Sequence, residues 1–127
     1  MKTILVDVVN TFIIKGEGIF KEMYNLLEKY PNRKIILTGA NDEQFKKHDL
    51  GNMPYEVFTL NHNPEKSDLD YYIRMLNHFG LEKDNVIYFE HNEEAIKSAN
   101  FVGINTFHYD KDKRDLDGLK DFLDKVC

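Results

Sequence analysis

Four polar positions in this chain fall where a run of apolar residues stops. Asp7 follows Ile4-Leu5-Val6, and Thr38, with Gly39 after it, follows Ile35-Ile36-Leu37. Lys66 comes shortly after the third apolar run, behind Asn63-Pro64-Glu65, and Glu90, with His91 after it, closes Val86-Ile87-Tyr88-Phe89. A carboxylate, a hydroxyl, an ammonium and a second carboxylate suit a phosphoryl group held beside a divalent cation. Carboxylates can bind Mg²⁺, which takes hard oxygen ligands, while the lysine and the hydroxyl take up phosphate charge. Thr11 sits four positions after Asp7, and Glu94, one helical turn beyond Glu90, could reach the same cation but is expected at the surface. Each residue alone has a plainer reading: a turn or cap aspartate, a strand exit, a solvated lysine, an acid at a helix N-terminus. Their order, each at the end of an apolar run, is what points to a shared site.

The elements that must position these groups alternate along the chain. Short apolar runs predict strands over 3–9, 34–38, 56–59, 86–90 and 106–109. Between them, apolar residues at helical spacing predict helices over 19–30, 42–50, 67–79, 93–101 and 115–126. Pro31 stops the first helix, Gly80 and Gly103 suit left-handed C-caps, and Asn41 or Asp42 and Ser67 or Asp68 suit N-caps. Strand–helix alternation predicts one α/β domain over 1–127, a three-layer sandwich with a five-stranded parallel sheet and helices on both faces. In such a sheet the carboxyl ends of the strands share one edge, where ligands bind. Residues 12–18, apolar and then glycine-rich, predict a small flap hairpin beside Asp7.

Composition removes several classes of function. At 127 residues and net charge −5, with Lys and Arg scattered, the chain lacks the basic stripe a nucleic-acid surface needs. No apolar run is long enough to span a membrane, and the N-terminus lacks signal-peptide architecture. Cys127 is the only cysteine, so no internal disulfide forms, and a reducing, cytoplasmic location is expected. His48, His62, His78 and His108 show no zinc-ligand spacing, and no GxGxxG or P-loop pattern is present. The mixed-charge stretch 110–115 reads as a solvated connection.

The set Asp7-x-x-x-Thr11, Thr38-Gly39, Lys66 and Glu90-His91 resembles, in order and spacing, the four motifs of the haloacid dehalogenase superfamily, across essentially the whole chain. The resemblance implies a Rossmann-like fold and a phosphohydrolase that acts through an aspartyl-phosphate on Asp7. It implies that Thr38 and Gly39 bind the phosphoryl group and that Lys66 neutralises its charge. Mg²⁺ would be held by Asp7, Glu90 and the backbone carbonyl of Val9.

Two departures bear on activity. Most phosphatases of that superfamily carry a second aspartate two residues after the nucleophile, though some branches have other residues there; this chain has Val9, which cannot exchange a proton. General acid–base help is typically worth about 10²–10⁴-fold in rate. His91 stands where a second acid is common, which removes a negative charge from the cation site and offers a group that titrates near neutral pH. The alternative to a weakened phosphatase is therefore a pseudoenzyme, a binding or regulatory module on the same fold. A receiver-like phosphoacceptor fits less well, because the lone acid ends the first strand instead of the third. Neither gap that carries a cap domain in the resembled family has room for one, so the crevice is expected to be open. Openness suits a phosphorylated macromolecule, or a small substrate enclosed by a partner subunit; oligomeric state is not legible.

Overall fold

The computed structural model describes residues 1–127, in the order β1 (Thr3–Asp7), β2 (Ile13–Ile14), β3 (Gly18–Ile19), α1 (Lys21–Leu27), β4 (Lys34–Thr38), α2 (Asp42–Lys47), β5 (Glu56–Thr59), α3 (Leu69–Phe79), β6 (Val86–Glu90), α4 (Glu93–Val102), β7 (Asn105–His108) and α5 (Leu116–Val126). Five strands form one parallel sheet in the order β5-β4-β1-β6-β7, and β2 and β3 form a separate antiparallel hairpin. β1 lies in the centre, and all five of its residues are buried, as expected of a strand covered on both faces.

Side-chain alternation along the strands builds two cores. Ile4 and Val6 of β1, Ile36 of β4 and Phe89 of β6 pack with Met23 and Leu27 of α1 and Leu119 and Leu123 of α5. On the opposite face, Leu5, Ile35, Leu37 and Tyr88 pack with Tyr71, Tyr72 and Met75 of α3 and Ala99 of α4. This is the three-layer α/β arrangement expected from the sequence. Asp7 and Glu90 share strand faces with Leu5 and Tyr88, so both carboxylates turn toward the α3–α4 side.

Element ends depart from the sequence expectations for identifiable reasons. β1 stops at Asp7, not at residue 9, because residues 8–12 form a tight turn. In it the Thr11 and Ile13 amides both donate to the Val8 carbonyl, and Asn10 takes a left-handed φ of 67°. Ile19 pairs with Ile13 in the flap instead of starting α1, and α1 ends at Leu27, ahead of Tyr30-Pro31. α2 ends at Lys47, and Asp49 at φ 54° turns the chain into a 3₁₀ segment at Leu50–Asn52. Asn41 caps α2 in a reciprocal capping box with Gln44, Asp68 caps α3, and Gly80 and Gly103 take the left-handed C-caps. Between β1 and α1 the chain adds only the flap, and between β5 and α3 only residues 60–68.

Candidate functional site

The register of the central strands brings Asp7 level with Leu37 on one side and pairs Val6 with Phe89 on the other, so β1, β4 and β6 end together. Their ends and the loops beyond them line an open cleft of about 350 Å³ whose walls include Asp7, Val9, Thr38, Gly39, Lys66, Glu90 and His91. Seven of the nine residues named from the sequence therefore meet at one cavity.

Lys66 is the hub. Its Nζ lies 2.9 Å from Asp7 Oδ1 and 2.6 Å from Glu90 Oε1, and it also donates to the Leu37 carbonyl at 3.2 Å. The loop that carries it is tied down on both sides: Asp68 caps α3, and the Ser98 hydroxyl of α4 donates to the Ser67 carbonyl. Both carboxylates are almost wholly removed from water, Asp7 at 2% and Glu90 at 0% exposed. Buried charges persist only when paired and hydrogen-bonded, and here both conditions are met.

The remaining carboxylate oxygens face His91. Its Nδ1 lies 2.5 Å from Asp7 Oδ2 and 3.3 Å from Glu90 Oε2. The His91 and Asn92 amides at the start of α4 donate to Glu90 Oε2 at 3.1 and 3.2 Å. Thr11 is buried, and its hydroxyl donates to Asp7 Oδ2 at 2.7 Å, placed there by the turn at Asn10. Thr11 thus orients the aspartate from behind, outside the cleft.

Thr38 is buried at the cleft wall, where its Oγ1 accepts from the Ala40 amide and its carbonyl accepts from the Tyr71 hydroxyl. At Gly39 a Cβ would stand 3.2 Å from the His62 ring, so the absence of a side chain keeps this edge of the cleft open. Glu94, unlike Thr11, does not touch the cluster at all. It is exposed on α4, 3.6 Å from Lys97 and outside the cleft, because the helix turns it away from β6.

Several contributors escaped the sequence reading. Tyr88, within the apolar run that Glu90 closes, also donates its hydroxyl to Glu90 Oε1, a contact that i, i+2 spacing on one strand face makes natural. His62 lines the cleft between Gln44 and Glu65, at 2.5 and 2.9 Å, and Lys15 approaches from the flap. Nothing in the sequence spacing of His62 and Gln44 marks them as neighbours.

The cluster shifts its own titrations. Burial alone would raise the Asp7 carboxyl, but the Lys66 ammonium and the His91 hydrogen bond hold it well below the ordinary carboxylate range. Glu90, more deeply buried and beside the Asp7 charge, is pushed up to about 7 despite Lys66. His91 is raised by its hydrogen bond to Asp7, against the opposing effect of burial. Burial would lower Lys66, yet the two carboxylates hold it well above its usual value.

The donor set fits a divalent cation: Asp7, Glu90 and His91 each offer one ligand atom, all within 4.8 Å of one another. Lys66 occupies the other oxygen of each carboxylate and leaves Asp7 with one oxygen on the lysine side and one on the imidazole side.

No protein-family profile matches the sequence, and no curated protein sequence matches it. Solved structures do. An uncharacterised protein from Corynebacterium glutamicum matches with a TM-score of 0.69 at 15% identity, over 98% of this chain and 96% of that one. A haloacid dehalogenase-like protein of unknown function from Agrobacterium tumefaciens matches with a TM-score of 0.60 at 17% identity, over 72% of this chain and 45% of that one. A haloacid dehalogenase family enzyme from Bacteroides thetaiotaomicron, solved as an aspartate-to-alanine variant with magnesium and inorganic phosphate, matches with a TM-score of 0.62 at 16% identity. That match covers 74% of this chain and 55% of the other. The chain has the haloacid dehalogenase-like fold. No helix of the haloacid dehalogenase-like fold seen here is long and apolar enough to cross a membrane.

Two outcomes follow for the cation-free protein. Lys66→Met leaves two adjacent buried carboxylates without their ammonium and is expected to lower stability by about 3–5 kcal/mol in denaturant unfolding. Adding Glu90→Gln to that variant should recover part of the loss, whereas a further loss would show that the pair is not the cause. Stability should also depend on pH. Folded Glu90 keeps its proton up to about 7 against an ordinary 4.5, so stability falls as pH rises across that interval. His91, raised above 6.5, adds stability that is present below that value and lost as pH rises through its folded value. Asp7 works in the opposite sense and only in strong acid, since its lowered pKa supports stability that is lost as pH falls below 3.8. Thermal melts should therefore give a lower midpoint at pH 8 than at pH 5.5, and Glu90→Gln should flatten the difference. A midpoint that rises over this range would contradict the assignment.

Proposed function

We propose that the chain is a phosphohydrolase of the haloacid dehalogenase superfamily that forms an aspartyl-phosphate on Asp7. The observation that carries this reading is the pairing of a buried Asp7 with Lys66 at 2.9 Å, at the floor of an open cleft beside Thr38 and Gly39. The magnesium and phosphate in the Bacteroides enzyme of the same fold add support for the ligand class.

The roles follow from the contacts. Asp7 Oδ1, on the Lys66 side, attacks phosphorus while the bond from phosphorus to the ester oxygen breaks and the alkoxide departs. The Lys66 ammonium offsets charge on the phosphoryl oxygens, and Thr38 with the Gly39 backbone receives the group. Thr11 holds the aspartate in orientation through Oδ2. Asp7, Glu90, His91 and the Val9 carbonyl would hold the divalent cation, which supplies further neutralisation of phosphoryl charge when bound.

Val9 gives the chemistry its particular character. It lines the cleft where a proton donor is needed, and a valine can neither protonate the leaving oxygen nor activate water. Esters with acidic leaving groups, which depart without a proton, are therefore favoured, and the phosphoenzyme is hydrolysed slowly. The open cleft suits a phosphorylated macromolecule or a substrate enclosed by a partner. The valine also favours a second reading, a module that binds phosphoryl groups without turnover.

With a divalent cation and a nitrophenyl phosphate, wild type should turn over slowly and Asp7→Asn not at all. Alkyl phosphates should be poorer by about 10²-fold or more. Val9→Asp should raise alkyl phosphate turnover by at least about tenfold and narrow that gap. Identical background rates in wild type, Asp7→Asn and Val9→Asp would remove the enzymatic reading and leave the binding module.

A further inference from the structure

We infer that the cation site is a mixed nitrogen–oxygen site in which the His91 imidazole ligates beside Asp7 and Glu90, so that it prefers a first-row transition-metal dication to Mg²⁺. The inference rests on the proposed phosphoryl site for the presence of a cation, and on this chain's own donor atoms for its identity.

Lys66 sorts the carboxylate oxygens. By taking Asp7 Oδ1 at 2.9 Å and Glu90 Oε1 at 2.6 Å, it leaves Asp7 Oδ2 and Glu90 Oε2 on one side, and His91 Nδ1 faces both. Adjacent ligands around a six-coordinate ion with bonds of about 2.1 Å stand about 3 Å apart. The Nδ1 separations of 2.5 Å from Oδ2 and 3.3 Å from Oε2 bracket that spacing. The donors are also held in place. The His91 amide donates to Glu90 Oε2 at 3.1 Å, its carbonyl accepts from His108 Nε2 at 2.9 Å, and Thr11 fixes Asp7 Oδ2 at 2.7 Å. Such hydrogen bonds hold the ligand groups in orientation. His91 is 19% exposed along its side chain and lines the cleft, so water or a phosphoryl oxygen can complete the coordination.

The chemistry of the set then selects the ion. Mg²⁺ asks for oxygen ligands and gives up its waters reluctantly, whereas imidazole suits the later first-row dications. Lys66 cancels one of the two carboxylate charges, which weakens the pull on a hard ion and increases the share contributed by the nitrogen. On binding, the Nδ1 proton leaves for solvent and the lone pair turns to the metal in place of its hydrogen bond to Asp7.

Pulsed EPR of the Mn²⁺-loaded protein tests this directly. Wild type should show ¹⁴N coupling from a ligated imidazole, and His91→Asp, which restores an acidic pair, should lose it. In thermal-shift titrations, Co²⁺ should match the Mg²⁺ effect on wild type at a concentration at least about tenfold lower, and His91→Asp should shrink that ratio. His91→Asn provides the same comparison if the aspartate variant does not fold. Bound Mn²⁺ without nitrogen coupling, coupling that survives both His91 variants, or no dication binding in any assay overturns the inference. Nitrophenyl phosphate turnover keeps the two readings apart. Turnover without nitrogen coupling removes only the mixed-ligand site, whereas nitrogen coupling without turnover removes only the phosphohydrolase.

Discussion

A single ammonium lies between two buried carboxylates, and the local structure is arranged around that fact. Asp7 and Glu90 end neighbouring strands, and without Lys66 their mutual repulsion and loss of hydration would oppose the alignment of β1 with β6. Lys66 can reach both because the loop before α3 is anchored by Asp68 and Ser98. The turn at Asn10 then returns Thr11 to the aspartate, and the start of α4 directs two amides at Glu90. The three-layer fold brings these elements to one sheet edge, where a phosphoryl group could replace part of the pairing that the cluster now makes with itself.

Much of this was legible in the sequence because it depends on periodicity and punctuation. The inner strands of the sheet are short apolar runs, while Gly80 and Gly103 mark helix ends through their backbone freedom and Asn41 and Asp68 through side-chain caps. Asp7, Thr38, Lys66 and Glu90 were readable because a parallel sheet sends successive strand ends to the same edge. The ends of α1 and α2 were not, since Ile19 is claimed by flap pairing and Asp49 by a left-handed turn, and neither choice leaves a mark in local propensity. Glu94, one helical turn beyond Glu90 but expected at the surface, does lie on the solvent side of α4. His62 and Gln44 meet only because the loop after β5 packs against the start of α2, which no local pattern encodes.

Val9 and His91 both bear on the chemistry open to Asp7. The first lines the cleft with a side chain that cannot handle a proton, and the second faces Asp7 Oδ2 with a nitrogen that can bind either a proton or a metal. On the proposed reading, such a site would accept a phosphoryl group while lacking ordinary help for expelling a poor leaving group. The shift of Glu90 to about 7 comes from burial and the Asp7 charge, because a carboxylate with a charged neighbour and no water gives up its proton late.

The most direct measurement is a crystal structure of the protein with a divalent cation and beryllofluoride, which mimics a phosphoryl group on a carboxylate. Beryllium bonded to Asp7 Oδ1, with its fluorides contacting Lys66, Thr38 and the Gly39 amide, is the expected result. An unmodified Asp7 that keeps its pairings with Lys66 and His91, under conditions where the mimic is in excess, would contradict a phosphoryl-accepting role.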